Sequence, residues 1–357
     1  MSGHGGDIYA ASRRTGIPLG EILDFSASIN PAGMPEGAVR AIENAVAYLC
    51  HYPEPYSEEL TGHIARHLSI DPEAVVCGNG STELIYLVPR VLKPRRVLIP
   101  RPTFMEYGKA CLASGASEIK SLSLEAEKDF DIEPNTFIAA MTEDHPCDMA
   151  FICNPNNPTG RLVTRDDVLQ CAEAAREASC YLVVDEAFID FCPEASVVRE
   201  VKDNPYLIVL RSMTKFYALA GLRIGCAVFH PSLVERMAAC KEPWTVNTLA
   251  QRTGIASLED DGFREASLSA MKEEKEFMEG ELGRMGVSFI PSRANYYLLR
   301  ISRAEEVRAG LEQRGILVRS CSTFPGLDGT YLRIAVRSRR ENSILFREMA
   351  DICAHLS

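Results

Sequence analysis

No stretch of this chain approaches the ~18 consecutive apolar residues of a membrane-spanning helix. The start, Met1-Ser-Gly-His-Gly-Gly-Asp-Ile, has no apolar signal core. A cytoplasmic location is expected from both absences. A basic block is missing too: Lys and Arg number 38 against 49 Asp and Glu, a formal net charge of -11. Tracking of nucleic acid or of an anionic membrane is therefore not expected, and any bound anion must be met by locally clustered arginines. The 12 cysteines include no Cys-x-x-Cys, which speaks against a zinc site or a redox dithiol. Most sit among apolar or small residues, as Cys77, Cys153, Cys180 and Cys226 do, where cysteine behaves as a small buried hydrophobe. Cys321, beside Arg319, is the exception. His63 and His67 fall one helical turn apart, but no Glu follows His63 and no third ligand is near, so a solvated helix face is preferred to a metal site. There is no internal repeat, low-complexity tract or long linker.

What is present is enough apolar material for a sizeable core: 357 residues, 46% of them hydrophobic. A chain of this length can bury about 75% of its unfolded surface. Seven short apolar, β-branched runs lie between residues 75 and 229: Val75–Cys77, Val97–Ile99, Glu118–Leu122, Met149–Cys153, Tyr181–Val184, Leu207–Leu210 and Ile224–Phe229. Helix-period segments such as Ser81–Leu92, Phe104–Ser114 and Thr164–Ala178 alternate with them, the pattern of an α/β fold with a largely parallel sheet covered on both faces. From about Trp244 the pattern changes to a long charged helix, Asp261–Met285, then strands near Val287–Ile290, Tyr296–Ile301, Leu317–Arg319 and Tyr331–Val336. The expected organisation is an arm at 1–45 that packs on the C-terminal part, a large domain at 46–243 and a small α+β domain at 244–357.

Lys215 sits in Leu-Arg-Ser-Met-Thr-Lys-Phe-Tyr-Ala-Leu-Ala-Gly-Leu-Arg-Ile-Gly, from Leu210 to Gly225. Alone, such a lysine is a solvated surface residue. Three segments upstream change its meaning: Gly78-Asn-Gly-Ser-Thr82, Asn154-Pro-Asn-Asn-Pro-Thr-Gly160 and Asp185-Glu-Ala-Phe188. Pyridoxal 5′-phosphate (PLP) chemistry needs a lysine to hold the aldehyde, an acid to keep the pyridine nitrogen protonated and a cradle for the phosphate. Asp185 follows a strand, at the carboxyl end where α/β sheets bind ligands; the alternative is a helix N-cap. Gly78-Asn-Gly-Ser-Thr82 also follows a strand and opens a helix, so its free N–H groups can receive phosphate. Asn157, in a proline-braced turn, can donate to the ring's phenolic oxygen or serve the turn alone.

Together these motifs resemble the fold type I PLP enzymes of the aminotransferase class I/II superfamily over essentially the whole chain. The resemblance implies that Lys215 holds the cofactor, Asp185 faces the pyridinium and Asn157 meets the ring oxygen. It implies a phosphate cradle of Ser81, Thr82, Ser212, Thr214 and Arg223, with Phe104 stacked on the ring and Tyr52 reaching in from a second subunit. A homodimer with shared active sites follows from the last. Within the superfamily, His4-Gly5-Gly6, Asp24-Phe-Ser-Ala-Ser-Ile-Asn-Pro31, Pro243-Trp-Thr-Val-Asn247 and Arg319-Ser-Cys-Ser-Thr-Phe-Pro-Gly-Leu327 look like the threonine-phosphate decarboxylases of cobalamin biosynthesis. The histidinol-phosphate aminotransferases are the neighbouring likeness; they usually carry a ring-bonding tyrosine where this chain has Phe188. The implied reaction is decarboxylation of L-threonine O-3-phosphate, with His4, Asn30, Arg319 and Arg333 on the substrate. Serine phosphate lacks only a methyl, worth ~1–3 kcal/mol of discrimination, and stays a rival, as does histidinol-phosphate transamination. A PLP-binding transcriptional regulator would need a DNA-binding domain ahead of the fold, and only some tens of residues precede it.

Overall fold

The computed structural model describes residues 5–356. After the short β1 (Leu23–Asp24) come β2 (Val75–Gly78), β3 (Arg96–Arg101), β4 (Glu118–Ser123), β5 (Met149–Cys153), β6 (Tyr181–Asp185), β7 (Leu207–Ser212) and β8 (Gly225–Val228). The last seven form one sheet in the order β2-β8-β7-β6-β5-β3-β4. Its pairs are parallel except those of β8, which runs antiparallel to both β2 and β7. Every run expected as a strand of the large sheet is one, within a residue or two at the ends.

The sheet is covered on both faces, and the period-2 alternation of its strands divides the core accordingly. Ala150 and Ile152 of β5 join one apolar cluster with Val184 and Val209, whereas Met149, Phe151 and Cys153 join another with Val183 and Leu210. β5 and β7 are therefore buried at every position, while β4 has only exposed and half-buried residues. That suits an edge strand carrying Lys120, Ser121 and Ser123. The helices Ser81–Leu92, Glu106–Ala113 and Arg165–Glu177 follow β2, β3 and β5, and the last is N-capped by Thr164, whose hydroxyl accepts from the Asp167 amide.

The C-terminal strands β9 (Ser288–Phe289), β10 (Tyr296–Arg300), β11 (Ile316–Leu317), β12 (Arg319–Ser320) and β13 (Tyr331–Ala335) follow the long helix Asp261–Arg284. Four of them make a sheet in the order β12-β13-β10-β9, and β11 instead pairs in parallel with β1. The single strand expected at Leu317–Arg319 is thus divided at Val318, because its two halves bond to different partners. Phe25 donates from its amide to Leu317 O (2.8 Å) and accepts from the Ala335 amide (2.9 Å), and its ring lies in the core of this C-terminal part with Leu299 and Ile334. The segment 244–258 packs elsewhere: Val246 and Ala250 belong to the core of the seven-stranded sheet. At Gly254 a Cβ would lie 2.6 Å from Ile224 Cδ1 and 3.0 Å from Leu60 Cδ1, so a larger residue there would have to push these two side chains aside. Among the described residues no helix is long and apolar enough to cross a membrane.

Candidate active site

The carboxyl ends of the parallel strands β5, β6 and β7 deliver Asn157, Asp185 and Lys215 to one cavity of about 440 Å³. This is where such a sheet is expected to bind ligands. Asp185, the last residue of β6, is 3% exposed. Its Oδ2 accepts from the Tyr107 hydroxyl at 2.7 Å and its Oδ1 from the Ala187 amide at 3.0 Å. Burial pushes this carboxyl up to about 6, against the pull of those two donors and of Lys215. Tyr107 is itself fully buried and stacks on Phe151 at 4.8 Å.

Lys215 lies in the short helix Met213–Phe216, directly after β7. Burial, then the charges of Arg333 and Arg223, bring its ammonium down to about 8, with Asp24 and Asp185 opposing. Its carbonyl accepts from the Asn30 amide at 3.0 Å. Ser212 and Thr214 face each other with their hydroxyls 2.8 Å apart, and Ser81 and Thr82 open the helix that follows β2. All four line the cavity with Arg223. Gly80, at φ 73°, holds the turn before that helix, and a Cβ there would stand 2.4 Å from Arg223 Nη2. Free helix N–H groups, hydroxyls and an arginine at a glycine turn have the chemistry of a phosphate cradle. No carboxylate among the described residues pairs with Arg223, which leaves its charge for a ligand.

Also in the lining, Arg319 of β12 and Arg333 of β13 are direct Cα partners in the antiparallel register, and they are 8% and 6% exposed. Like charges directly opposite in a ladder are destabilising. The proximity and burial together lower the Arg319 pKa. Arg333 donates from Nη2 to Ser26 O at 2.8 Å and from Nη1 to Asn157 Oδ1, while its buried Nε has no partner among the described residues. Arg319 donates to Thr323 Oγ1 at 2.9 Å and lies over the Phe324 ring. Phe104 and Phe188 also line the cavity. Phe188 packs edge-on against Tyr296 at 5.0 Å, and the Tyr296 hydroxyl donates to Asn156 O at 2.8 Å.

The structure thus gathers Ser81, Thr82, Phe104, Asn157, Asp185, Ser212, Thr214, Lys215, Arg223, Arg319 and Arg333 around one space. Asn30, expected on the substrate, is not in the lining. Its Nδ2 donates to Phe216 O (2.8 Å) and Ser267 Oγ (3.0 Å) and its Oδ1 accepts from the Ala32 amide (3.1 Å), so both ends of the carboxamide are committed, the amide end in part to the lysine's helix. Tyr52 is 85% exposed and packs against Trp244 at 5.4 Å, outside this cavity. His4 lies outside the described residues. Three residues that sequence reasoning missed also belong here: Tyr107, three positions after Phe104 in the same run, Tyr296, and Ser28 in the string that begins at Asp24. The donor set fits the PLP expected from the sequence: a depressed lysine, a buried carboxylate held by two donors, and an arginine-bearing cradle.

The chain matches the model of aminotransferase class I and II over residues 21–347. It is 38% identical over 355 residues to the threonine-phosphate decarboxylase of Salmonella typhimurium, covering 98% of this chain and 96% of that one. It is 32% identical over 333 residues to a histidinol-phosphate aminotransferase of Thermoanaerobacter sp., with 92% of each covered. The crystal structure of the histidinol-phosphate aminotransferase from Clostridium acetobutylicum superposes with a TM-score of 0.86 at 28% identity, over 94% of this chain and all of that one.

Proposed function

As a member of the aminotransferase class I and II family the chain is a PLP-dependent enzyme, and we propose that it decarboxylates L-threonine O-3-phosphate to (R)-1-aminopropan-2-yl phosphate, a step of cobalamin biosynthesis. The observation that carries this reading is the facing pair Arg319 and Arg333, buried together in the cavity wall on strands other than the elements of the phosphate cradle. Two guanidinium groups opposite each other are costly unless anions lie between or beside them, and the substrate brings both a carboxylate and a phosphate. The full-length likeness to the Salmonella decarboxylase agrees with it.

When bound, PLP supplies an electron sink for the pair left on Cα when a bond there breaks. The protein's part is to hold and to aim. Lys215 holds the cofactor aldehyde, and Asp185, kept ionised by Tyr107 and Ala187, faces the pyridinium. Asn157 meets the ring oxygen, and Ser81, Thr82, Ser212, Thr214 and Arg223 hold the phosphate, with Phe104 on the ring face. Arg319 and Arg333, joined by His4, would fix the substrate's two anions and so aim the bond from Cα to the carboxylate for cleavage. Orientation of this kind selects which bond breaks. Phe188 leaves the ring oxygen without the hydroxyl partner of the aminotransferases. Once carbon dioxide has left, Lys215, whose ammonium titrates near 8, delivers a proton to Cα.

The comparable likeness to a histidinol-phosphate aminotransferase favours a second reading, transamination of that substrate. The discriminating experiment incubates the PLP-loaded protein with threonine phosphate, with serine phosphate, and with histidinol phosphate plus 2-oxoglutarate. Carbon dioxide and aminopropanyl phosphate from the first alone are expected. Glutamate from the third, with no carbon dioxide from the others, overturns the proposal.

A further inference from the structure

Next to the cofactor acid in the chain begins a buried charge network that lies outside the active cavity. Glu186, the residue after Asp185, is fully buried, and Arg211, the residue before Ser212, is 8% exposed. Successive residues of a strand point to opposite faces. Asp185 and Ser212 accordingly line the active cavity, whereas Glu186 and Arg211 do not. Arg211 faces instead, with Asp190, a second cavity of about 370 Å³.

The guanidinium of Arg211 is forked between two carboxylates. Its Nη1 donates to Glu186 Oε2 at 3.1 Å, and its Nη2 donates to Asp190 Oδ1. Glu186 is fixed further by the Ser196 hydroxyl, which donates to Oε2 at 2.6 Å, and by the Val197 amide, which donates to Oε1 at 2.8 Å. Glu186 and Asp190 are the two ends of the segment 186–190, so one side chain holds that segment at both ends. Between them lie Ala187, whose amide is one of the two donors to the Asp185 carboxylate, and Phe188, which lines the active cavity. An amide aims its N–H only as well as its backbone is fixed, and a hydrogen bond weakens steeply as it bends.

We propose that Arg211 is a positioning residue for the cofactor acid: by clamping Glu186 and Asp190 it fixes the turn whose Ala187 amide holds the Asp185 carboxylate in place. Arg211 acts through that turn and not by contact with the cofactor or the substrate. The inference rests on the role proposed for Asp185.

The test is a double-mutant cycle, read by titrating the apoprotein with PLP, on Arg211→Lys, Asp185→Asn and their combination. Lysine keeps the positive charge that the buried Glu186 requires, but it lacks the planar fork that reaches two carboxylates at once. With the Ala187 bond weakened, the Asp185 carboxyl, which also stands near Tyr107, Cys153 and Lys215, holds its proton to higher pH. PLP affinity in Arg211→Lys should therefore fall about two- to tenfold near neutrality and return toward the wild-type value in alkaline solution. In the Asp185→Asn background no carboxylate is left to hold. There the same substitution should weaken PLP binding no further, although its effect on the melting temperature persists. Asp190→Asn, at the half-buried end of the clamp, leaves the Glu186–Arg211 pair intact and repeats the measurement if Arg211→Lys fails to fold. Lowered stability with unchanged PLP affinity in these variants makes the network structural only and overturns the proposal, as does an equal loss of affinity with and without the Asp185 carboxylate. Wild-type PLP affinity in Asp185→Asn alone sinks the assignment of the acid itself, an outcome read from a different chain and so distinguishable from failure of the clamp.

Discussion

Tyr107→Phe removes one oxygen atom and, with it, one of the two donors that hold the Asp185 carboxylate. The Tyr107 hydroxyl lies 2.7 Å from Oδ2, and both side chains are buried. A hydrogen bond to a charged group is worth ~1.5–3 kcal/mol, and one pKa unit corresponds to about 1.36 kcal/mol. The Asp185 carboxyl, already at about 6 in the wild type, therefore moves up by about one to two units in the variant. At neutral pH the acid is then largely protonated in the cofactor-free protein. The sign of the linkage follows. A carboxyl whose folded pKa lies above its unfolded value binds more protons when folded, so stability falls as pH rises through the window between the two. In wild type that window runs from the ordinary value of 3.8 to about 6, and in the variant it extends further upward. The stability difference between the two apoproteins should be small near the acid end and grow to ~1.5–3 kcal/mol on the alkaline side, where the lost bond is one to a full carboxylate. Cofactor affinity should fall about two- to tenfold near neutrality, where the variant's acid is half or more protonated, and recover at higher pH. Thermal melts across pH and fluorescence titration of the apoprotein with PLP read the two effects. Cofactor affinity that matches wild type from acid to alkaline pH would refute the argument and show that Ala187 alone secures the carboxylate.

Lys215→Ala should purify without the bound-cofactor absorbance and without turnover; an intact band sinks the assignment of the lysine. Asp185→Asn should fold yet lose most activity, because a neutral amide cannot balance the pyridinium, and near-normal rates would point to another acid. Since Lys215 titrates near 8, and only its neutral amine attacks the aldehyde, cofactor loading of the apoprotein should speed up by about fivefold between pH 7 and 8 and level off above; a flat profile contradicts the depressed lysine. Arg319→Met should change the stability of the apoprotein little, because relief of a like-charge pair offsets the lost contacts to Thr323 and Phe324, while abolishing the thermal stabilisation that threonine phosphate gives the wild type. Mixing Lys215→Ala chains with Tyr52→Phe chains should recover activity beyond either parent if, as we propose, each site of a homodimer borrows Tyr52 from its partner.

The large sheet was legible because strands buried on both faces are continuous apolar runs between helix-period segments, and β2 to β8 follow that rule with little to compete. The chemistry-bearing residues at the strand ends were legible for the same reason: a glycine turn, an aspartate and a lysine each follow a recognisable strand. Less was legible where one residue serves two masters. Tyr107 looks like core and is core, stacked on Phe151, yet its hydroxyl reaches the acid. Asn30 has the chemistry of a ligand contact, but its carboxamide is consumed by Phe216 O and Ser267. Ser28 differs from Ser26 by nothing in composition; only the fold commits one hydroxyl to Asp24 and leaves the other buried without a partner among the described residues. The helix Thr248–Leu258 sits with the larger core because Gly254 admits Ile224 and Leu60, a contact between segments far apart in the chain.

Arg333 and Ser26, whose bond helps to form the cavity wall, are 307 residues apart in the chain, and β1 pairs with β11. Contacts of such sequence separation must first overcome the entropy of closing a very long loop. The phosphate cradle and the lysine, by contrast, lie wholly between β2 and β8. During synthesis the cofactor half of the site can therefore assemble while the arginine half is still inside the ribosome, and the arm before β1 waits, unpaired, for the last strands to emerge. A nascent chain can hold its cofactor well before it can choose a substrate.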